Sequence, residues 1–197
     1  MNASGATSDP SVTGLLQQAV GGDQQAFEQA FGLVYHELQS LAHAQLRREP
    51  EGHTLNTGAL VHEAYLRLEG GGLPEKLDGR SHFLAIAATA MRRVLVDHAR
   101  RYHAEKRGGV NHAVAIEDMD ALVGESRDGT LIELDEALTR LAAFDARQAR
   151  VVECRFFGGL TEEETADALS IGLRTVKRDW SKARSWLYRE LNAGELA

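Results

Sequence analysis

The stretch that decides the fold is residues 160–187, which read LTEEETADALSIGLRTVKRDWSKARSWL. Thr161, followed three residues later by Glu164, forms the capping-box pattern that begins a helix. Small and apolar residues then stand where two helices must approach and turn: Ala166, Leu169, Ile171 and Val176. This spacing predicts a helix-turn-helix, in which the small residue lets the helices approach and the apolar residues fix their angle.

The second helix of this pair has two different faces. Its inward stripe is apolar and comprises Val176, Trp180, Ala183 and Leu187. Its outward face carries Arg174, Lys177, Arg178, Ser181 and Lys182. A helix that presents arginine and lysine from its first turns suits the DNA major groove, where these side chains contact phosphates and guanine edges. The simpler alternative is an amphipathic helix pair with a solvated basic face. We predict that Trp180 belongs to the core.

A second basic helix is predicted upstream, with Ser81 as its N-cap and its end at the glycines of residues 108–109. One side is largely apolar and comprises Phe83, Ile86, Ala87, Ala90, Met91, Val94, Leu95, His98 and Tyr102. The opposite side carries Arg92, Arg93, Asp97, Arg100 and Arg101. No nucleophile or second acid accompanies Asp97, so this face is typical of a solvated or phosphate-contacting helix.

Helical periodicity also covers the other segments. We predict helices over residues 13–20, from Asp23 to near Arg48, and from Asn56 or Thr57 to the glycines at 70–72. Residues 73–80 form a loop, and two further helices begin at Leu131 and near Arg147. No alternating strand pattern of useful length occurs. The sequence therefore predicts an all-α fold of two small helical domains joined by an acidic linker, the second ending in the helix-turn-helix.

Charge is distributed unevenly along the chain, whose net charge is −7. Residues 92–107 and residues 174–190 each carry six basic and two acidic residues, a net charge of +4. Residues 113–136 lie between them and carry eight acidic residues and one arginine, a net charge of −7. Such patches are the electrostatic pattern of a nucleic-acid-binding protein. The alternative is that helical surfaces are charged in any case.

The composition is that of an ordinary globular protein, with 197 residues of which 43% are hydrophobic and 26% charged. The single cysteine, Cys154, excludes a disulfide framework and a cysteine-rich zinc site, and we expect it in the core. The longest apolar run, residues 83–91, is too short to span a membrane. Residues 1–14 show no signal peptide. We therefore expect a cytoplasmic protein without membrane insertion.

Nothing in the sequence predicts catalysis, a cofactor or a metal ion. The eight histidines show no paired ligand spacing, and His62-Glu63 lacks the second histidine of a zinc-protease motif. No glycine-rich phosphate loop follows a strand. We predict a protein that is not an enzyme and has no cofactor and no metal site.

Three segments in order resemble a known family: residues 60–68 (LVHEAYLRL), residues 90–100 (AMRRVLVDHAR) and residues 155–166 (RFFGGLTEEETA). They look like bacterial RNA polymerase sigma factors of the sigma-70 family, in the extracytoplasmic-function (ECF) subfamily. The resemblance covers roughly residues 15–191, nearly the whole chain. Three motifs split by a linker are far more specific than a helix-turn-helix alone.

The resemblance implies four segments. Residues 1–12 are a flexible tail, residues 13–107 a domain like sigma domain two, residues 108–130 a linker, and residues 131–197 a domain like sigma domain four. The first domain binds the clamp helices of the polymerase core and opens the promoter's −10 element. The second binds the −35 element and contacts the polymerase flap. The resemblance leaves open whether an anti-sigma factor also binds the chain.

The family's functional positions transfer to three sets of residues. The polymerase-docking set is His62, Glu63, Leu66 and Arg67. The −10 set is Arg92, Arg93, Asp97, Arg100 and Arg101. The −35 set is Arg174, Thr175, Lys177, Arg178, Ser181 and Lys182. The chain departs from the family at Arg93, where many members have asparagine, at Ser170 and Gly172 in the turn, and at Phe83, near a frequent tryptophan.

Two interpretations compete with a sigma factor. One is a transcription regulator whose only DNA reader is the C-terminal helix-turn-helix, with an N-terminal sensor or dimerisation domain. The other is a hydrolase or metal enzyme with a helical fold, for which no acid–base pair is present. A further hypothesis concerns the acidic stretch, which either folds back onto the basic helices and masks them or serves only as a solvated tether.

Overall fold

The protein is described by a computed structural model that covers residues 11–46, 55–105 and 128–192. Within these ranges every regular element is a helix, which confirms the all-α prediction. The first group of helices comprises α1 (Val12–Val20), α2 (Gln24–Leu33), α3 (Tyr35–Leu46), α4 (Thr57–Arg67) and α5 (Arg80–Glu105). The second comprises α6 (Asp128–Phe144), α7 (Ala146–Val152), α8 (Glu162–Leu169) and α9 (Leu173–Asn192).

Two π-helical turns extend these helices. One, Leu68–Gly72, follows α4, and the other, Glu153–Phe157, follows α7 and is called the 153–157 turn below. The 153–157 turn is closed by Gly158, where a Cβ atom would lie only 2.6 Å from the carbonyl oxygen of Cys154 and 3.3 Å from the Cβ of Ala88. Glycine is therefore required where this turn approaches α5.

Local capping signals account for most helix starts. The side chains of Asp23, Asn56 and Asp145 each accept a hydrogen bond from a backbone N–H in the first turn. Thr161 and Glu164 form both hydrogen bonds of the predicted capping box at the start of α8. These polar residues satisfy N–H groups that the helices themselves leave unpaired.

Three predicted helix boundaries are wrong. The helix expected to begin at Leu131 already begins at Asp128. The single helix expected from Asp23 to near Arg48 is divided, because Val34 leaves helical geometry with φ −102° and ψ 6° after the weak helix former Gly32. Ser81 does not cap α5, since the helix already begins at Arg80. Gly79, with φ +137°, makes the preceding bend, and its carbonyl oxygen accepts the N–H of Phe83 at 3.0 Å.

The core of the first group is built around aromatic rings. Phe27, Phe31, Tyr65 and Phe83 lie with ring centroids 5.0–6.4 Å apart, and Phe83 is fully buried. In the second group, Leu138, Leu141 and Leu187 are fully buried between α6, α7 and α9. The two groups are not separate in space, because their buried apolar residues form one continuous cluster.

Helix α5 is the element that joins the two groups. It packs against α1, α3 and α4 on one side and against α6, the 153–157 turn and α8 on the other. The expected division of α5 into one apolar and one exposed basic face is therefore wrong. Ala88, Val96 and Ala99 are buried although they lie outside the predicted apolar stripe, and so is Arg92.

The predicted linker, residues 108–130, lies outside the described residues except for its last three positions. These belong to α6, which begins at Asp128. The predicted tail, residues 1–12, is described only at Ser11 and Val12, where Ser11 caps α1. The four-segment division of the chain remains a prediction.

Candidate nucleic-acid and polymerase interface

The basic face of α9 is open to solvent. Arg174, Lys177, Arg178, Ser181 and Lys182 are exposed, and Thr175 is half-buried. These positions recur at three- and four-residue steps, so they follow one side of the helix. Lys177 Nζ lies 3.4 Å from a carboxylate oxygen of Glu162 on α8. The arrangement presents a row of cationic donors on one helix face.

The opposite side of α9 is anchored in the core. Val176, Ala183 and Leu187 are buried, as the stripe predicts. Trp180, expected in the core, is only half-buried, and the guanidinium groups of Arg155 and Arg184 lie 5.5 and 5.9 Å from its ring centroid. These distances are those of cation–π contacts.

The turn between α8 and α9 spans residues 170–172. Ser170 adopts the left-handed conformation, φ 52° and ψ 44°, which few residues other than glycine and asparagine favour. The N–H of Ile171 donates to the carbonyl of Ala166 at 3.0 Å, and this bond closes the C-terminal end of α8. The turn thus forms with serine at the position where the family often has glycine.

Asp179 is a charged residue that the sequence analysis did not single out. It lies on α9 between Arg178, which is exposed, and Trp180, which is half-buried, yet only 1% of its own surface is exposed. Its carboxylate accepts Nε of Arg147 at 2.6 Å and Nε of Arg178 at 3.2 Å. Burial alone raises the pKa of this carboxyl, but the two arginines outweigh it, so the pKa lies below its ordinary value. The sequence feature that could have indicated this buried carboxylate is a single acidic residue next to the inward apolar stripe of a basic helix.

The basic residues of α5 divide into two sets. Arg93, Arg100 and Arg101 are exposed, whereas Arg92 is buried. The guanidinium of Arg92 lies 3.4 Å from Asp135 of α6 and 3.0 Å from Glu153 of the 153–157 turn, and 5.6 Å from the ring centroid of Phe157. The side chain predicted to contact DNA is thus covered by the second group of helices.

Arg100 also contacts Asp135, with its Nη2 3.2 Å from the second carboxylate oxygen. We call Arg92, Arg100, Asp135 and Glu153 the Arg92 cluster. Nearby, Nε2 of the buried Gln45 donates to the carbonyl oxygen of Phe157 at 2.7 Å, so α3 is tied to the 153–157 turn as well. Sequence periodicity did not reveal these contacts, because they join segments far apart in the chain.

The predicted docking residues lie on the exposed side of α4. His62, Glu63 and Leu66 are exposed, and Leu66 leaves 45% of its surface accessible. Arg67 is half-buried, and its Nη2 lies 2.7 Å from Oδ2 of Asp97 on α5. This ion pair connects a predicted docking residue to a predicted −10 residue across the packed helices α4 and α5.

Few features of the described residues suggest chemistry. No group of three or more histidine, cysteine, aspartate or glutamate side chains in the described part is arranged to hold a metal ion. Cys154 is buried, and burial raises the pKa of its thiol to about 12. A cavity of about 310 Å³ between α5 and the 153–157 turn is lined by Arg67, Arg93 and Arg150 among others. None of the helices described has the length and apolarity that crossing a membrane requires.

The fold and these surfaces define an all-helical protein with two basic helices. The family model of the ECF sigma factors matches residues 9–193, nearly the whole chain. The chain therefore belongs to the ECF sigma factor family. A search of curated proteins finds no match.

Membership of this family settles the class of function. The protein is a sigma factor, a non-enzymatic transcription initiation factor whose partners are core RNA polymerase and promoter DNA. The match includes α1–α5 as well as α6–α9. We therefore set aside the two other interpretations, a regulator with an N-terminal sensor and a helical hydrolase or metal enzyme.

Proposed function

We propose that this sigma factor selects promoters with two helices, α9 at the −35 element and α5 at the −10 element, while α4 docks on the polymerase clamp helices. The observation that carries the proposal is the pair of exposed cationic rows, one on α5 and one on α9. The second group of helices also contacts the flap in this proposal. The protein acts in the cytoplasm, where the core polymerase is.

For α9, the proposed contacts are with duplex DNA. Arg174 and Arg178 are one helical turn apart at the start of the helix, where the side chains of a recognition helix reach base edges. An arginine fork matches O6 and N7 of guanine, whereas lysines such as Lys177 and Lys182 serve as phosphate contacts. Each lost phosphate contact is expected to reduce the log–log salt slope of binding by about 0.9.

For α5, the proposed contacts are with the strand that unpairs at the −10 element. We propose that the exposed residues Arg93, Arg100 and Arg101 hold phosphates of a single strand. Removing a base from the stack costs about a few kcal/mol, which such contacts offset without covalent chemistry. Arg93 stands where many members have asparagine, so we propose that an arginine assists base capture here.

For α4, the proposed contact is with protein. His62, Glu63 and Leu66 form a mixed polar and apolar exposed surface, which is more typical of an interface than of a solvated face. Helix α4 packs directly against α5, with the Arg67–Asp97 ion pair between them, and this packing sets the position of the surface relative to α5. Docking α4 on the clamp helices therefore also sets the direction in which α5 meets the DNA.

We infer further that the arrangement described here is a closed form of the free protein. Arg92 cannot reach DNA while Asp135 and Glu153 cover it, so contact between Arg92 and the −10 element requires α5 to separate from α6 and the 153–157 turn. Asp135 belongs to the acidic stretch, residues 113–136, whose charge suggested masking. Most of that stretch lies outside the described residues, including Glu117, Asp118, Asp120 and Glu125, and the side chain of Asp128 is likewise not described.

The proposed roles are separated by testing two variants with core polymerase. One replaces Arg174 and Lys182 by alanine on α9, and the other replaces Arg93 and Arg101 by alanine on α5. Promoters are first selected from fragmented DNA with the wild-type holoenzyme and then transcribed in vitro. We expect both variants to lose transcription from a duplex promoter. A template that is already unpaired at the −10 element restores only the α5 variant, because its defect lies in strand opening.

Three results would overturn these assignments. If the wild-type chain confers no initiation on core polymerase, the proposed function is wrong. If the unpaired template restores both variants equally, the division of roles between α5 and α9 is wrong. If both variants transcribe the duplex promoter like wild type, neither cationic row contacts it.

A further inference from the structure

We propose that Asp179 is a positioning residue for −35 recognition, whose carboxylate holds Arg178 and Arg147 so that their guanidinium groups face the DNA together. The proposal rests on the proposed function of α9 and adds the residue that orders its reading surface. It also adds Arg147, which lies on α7 and outside the predicted −35 set. Asp179 itself does not touch DNA in this proposal.

The first observation is that the carboxylate of Asp179 is buried and forms two ion pairs. Asp179 is 1% exposed, and a carboxylate removed from water is tolerated only with strong partners. Arg147 and Arg178 supply them, at 2.6 and 3.2 Å. They come from different helices, so one carboxylate fixes the position of two cations.

The second observation is which nitrogens the carboxylate uses. Both arginines bond to Asp179 through Nε. The bond to Asp179 therefore leaves the two η nitrogens of each guanidinium for another acceptor. The side chains of Arg147 and Arg178 are 48% and 55% exposed, so these groups are accessible from solvent.

The third observation is the position of Arg178 on α9. It shares one side of the helix with Arg174, Ser181 and Lys182, at spacings of three and four residues. Arginine loses considerable rotamer freedom when it binds a base, and a side chain already held in one orientation loses less. A fixed fork also discriminates between bases, since bidentate contacts depend on geometry.

The proposal predicts that Asp179→Asn changes binding to the specific −35 sequence and binding to random DNA in opposite directions. Asp179→Asn removes a negative charge near DNA, so binding to random sequence should tighten slightly. Loss of orientation at Arg178 should remove about tenfold discrimination at one base position. A carboxylate that only ties α7 to α9 would instead weaken both kinds of binding by the same factor.

The experiment selects −35 sequences from a library randomised in that region, using the holoenzyme formed with the full chain. The variants are Asp179→Asn, Arg178→Ala, their combination, and Glu190→Gln as the matched control. Glu190 also lies on α9 and pairs with an arginine of another helix, Arg140, at 2.6 Å, so the control makes the same charge change away from the proposed site. Thermal unfolding of each free variant accompanies the selection.

We expect Asp179→Asn and Arg178→Ala to lose base preference at the same position, with the combination no worse than Arg178→Ala, while Glu190→Gln keeps the wild-type preferences. If Asp179→Asn folds and keeps those preferences, the proposal is wrong. If it does not fold, Arg178→Lys decides, because lysine keeps the charge and leaves the Asp179–Arg147 pair intact but lacks the planar guanidinium that can bond to Asp179 and make a bidentate base contact together. Wild-type preference in Arg178→Lys overturns the proposal.

These outcomes are distinct from failure of the proposed function. If the wild-type holoenzyme selects no −35 sequence at all, the role of α9 is wrong and with it this inference. If the wild type selects a sequence and the Asp179 and Arg178 variants select the same one, only the positioning role is wrong.

Discussion

Neutralising the acids of the Arg92 cluster is expected to open the free protein. The change is Asp135→Asn combined with Glu153→Gln, which preserves side-chain size but removes both charges that face Arg92. Arg92, Asp135 and Glu153 have side chains only 10%, 15% and 20% exposed, so solvent screens this cluster poorly. The substitution leaves a buried guanidinium without a counter-charge, and separation of α5 from α6 returns it to water.

The size of the effect follows from the burial. Removing one partner of a buried ion pair costs about 3–5 kcal/mol. Amides keep part of the hydrogen bonding, so we expect the lower end, about 3 kcal/mol, which is about a hundredfold shift toward the open form. The ion pair between Arg100 and Asp135 is more exposed, so its loss adds at most about 1 kcal/mol to this cost. If the open form makes up about 1% of the wild-type protein, it would make up about one half of the double variant. Promoter affinity without polymerase would then rise about fiftyfold.

The assay compares promoter binding by fluorescence anisotropy with the radius of gyration from X-ray scattering. The matched control is Glu133→Gln combined with Glu136→Gln, which makes the same charge change at two exposed positions of the same helix, α6. Both double variants repel DNA less than wild type, so only the difference between them reports opening. Equal binding of promoter DNA by the two double variants, with the radius of gyration of the wild type, would show that the Arg92 cluster does not hold the protein closed.

Three further predictions follow from individual side chains. Thr161→Ala removes the capping box of α8 and should lower the free energy of unfolding by about 1 kcal/mol, measured by urea denaturation; an unchanged value would show that the cap contributes nothing. The Cys154 thiol, with a pKa of about 12, should resist alkylation at pH 8 in the folded protein and react fully in denaturant; rapid labelling of the folded form would contradict its burial. The pKa of Asp179 is lowered in the folded protein, so its contribution to stability is complete above the ordinary carboxyl pKa and is lost as pH falls through the folded value. Asp179→Asn should therefore flatten the acid limb of the curve of unfolding free energy against pH. An identical curve would show that the carboxylate is not ionised in the folded protein.

The parts of the fold that sequence reasoning predicted are those set by local chemistry. The capping box at Thr161, the cap at Asn56 and the buried positions Val176, Ala183 and Leu187 depend on residues within a few turns of one another. The family resemblance rested on motifs of the same kind. For this reason the all-helical fold and the exposed face of α9 followed from the sequence.

The parts that sequence reasoning missed depend on contacts between distant segments. Arg92 was predicted on the basic face because it lies opposite the predicted apolar stripe, yet Asp135 and Glu153 reach it from 43 and 61 residues away along the chain. Asp179 was not singled out, and its partner Arg147 lies on another helix, α7. Periodicity within one helix carries no information about which helix will cover it.

Permanganate reactivity of thymines at the −10 element reports whether this chain enables core polymerase to open a selected promoter, as we propose. Core polymerase is incubated with a selected promoter in the presence and absence of the full chain. We expect unpaired, reactive thymines at the −10 element only when the chain is present, and loss of that reactivity when Arg93 and Arg101 are replaced by alanine. Reactivity no greater than that of core polymerase alone would show that the chain does not open the promoter.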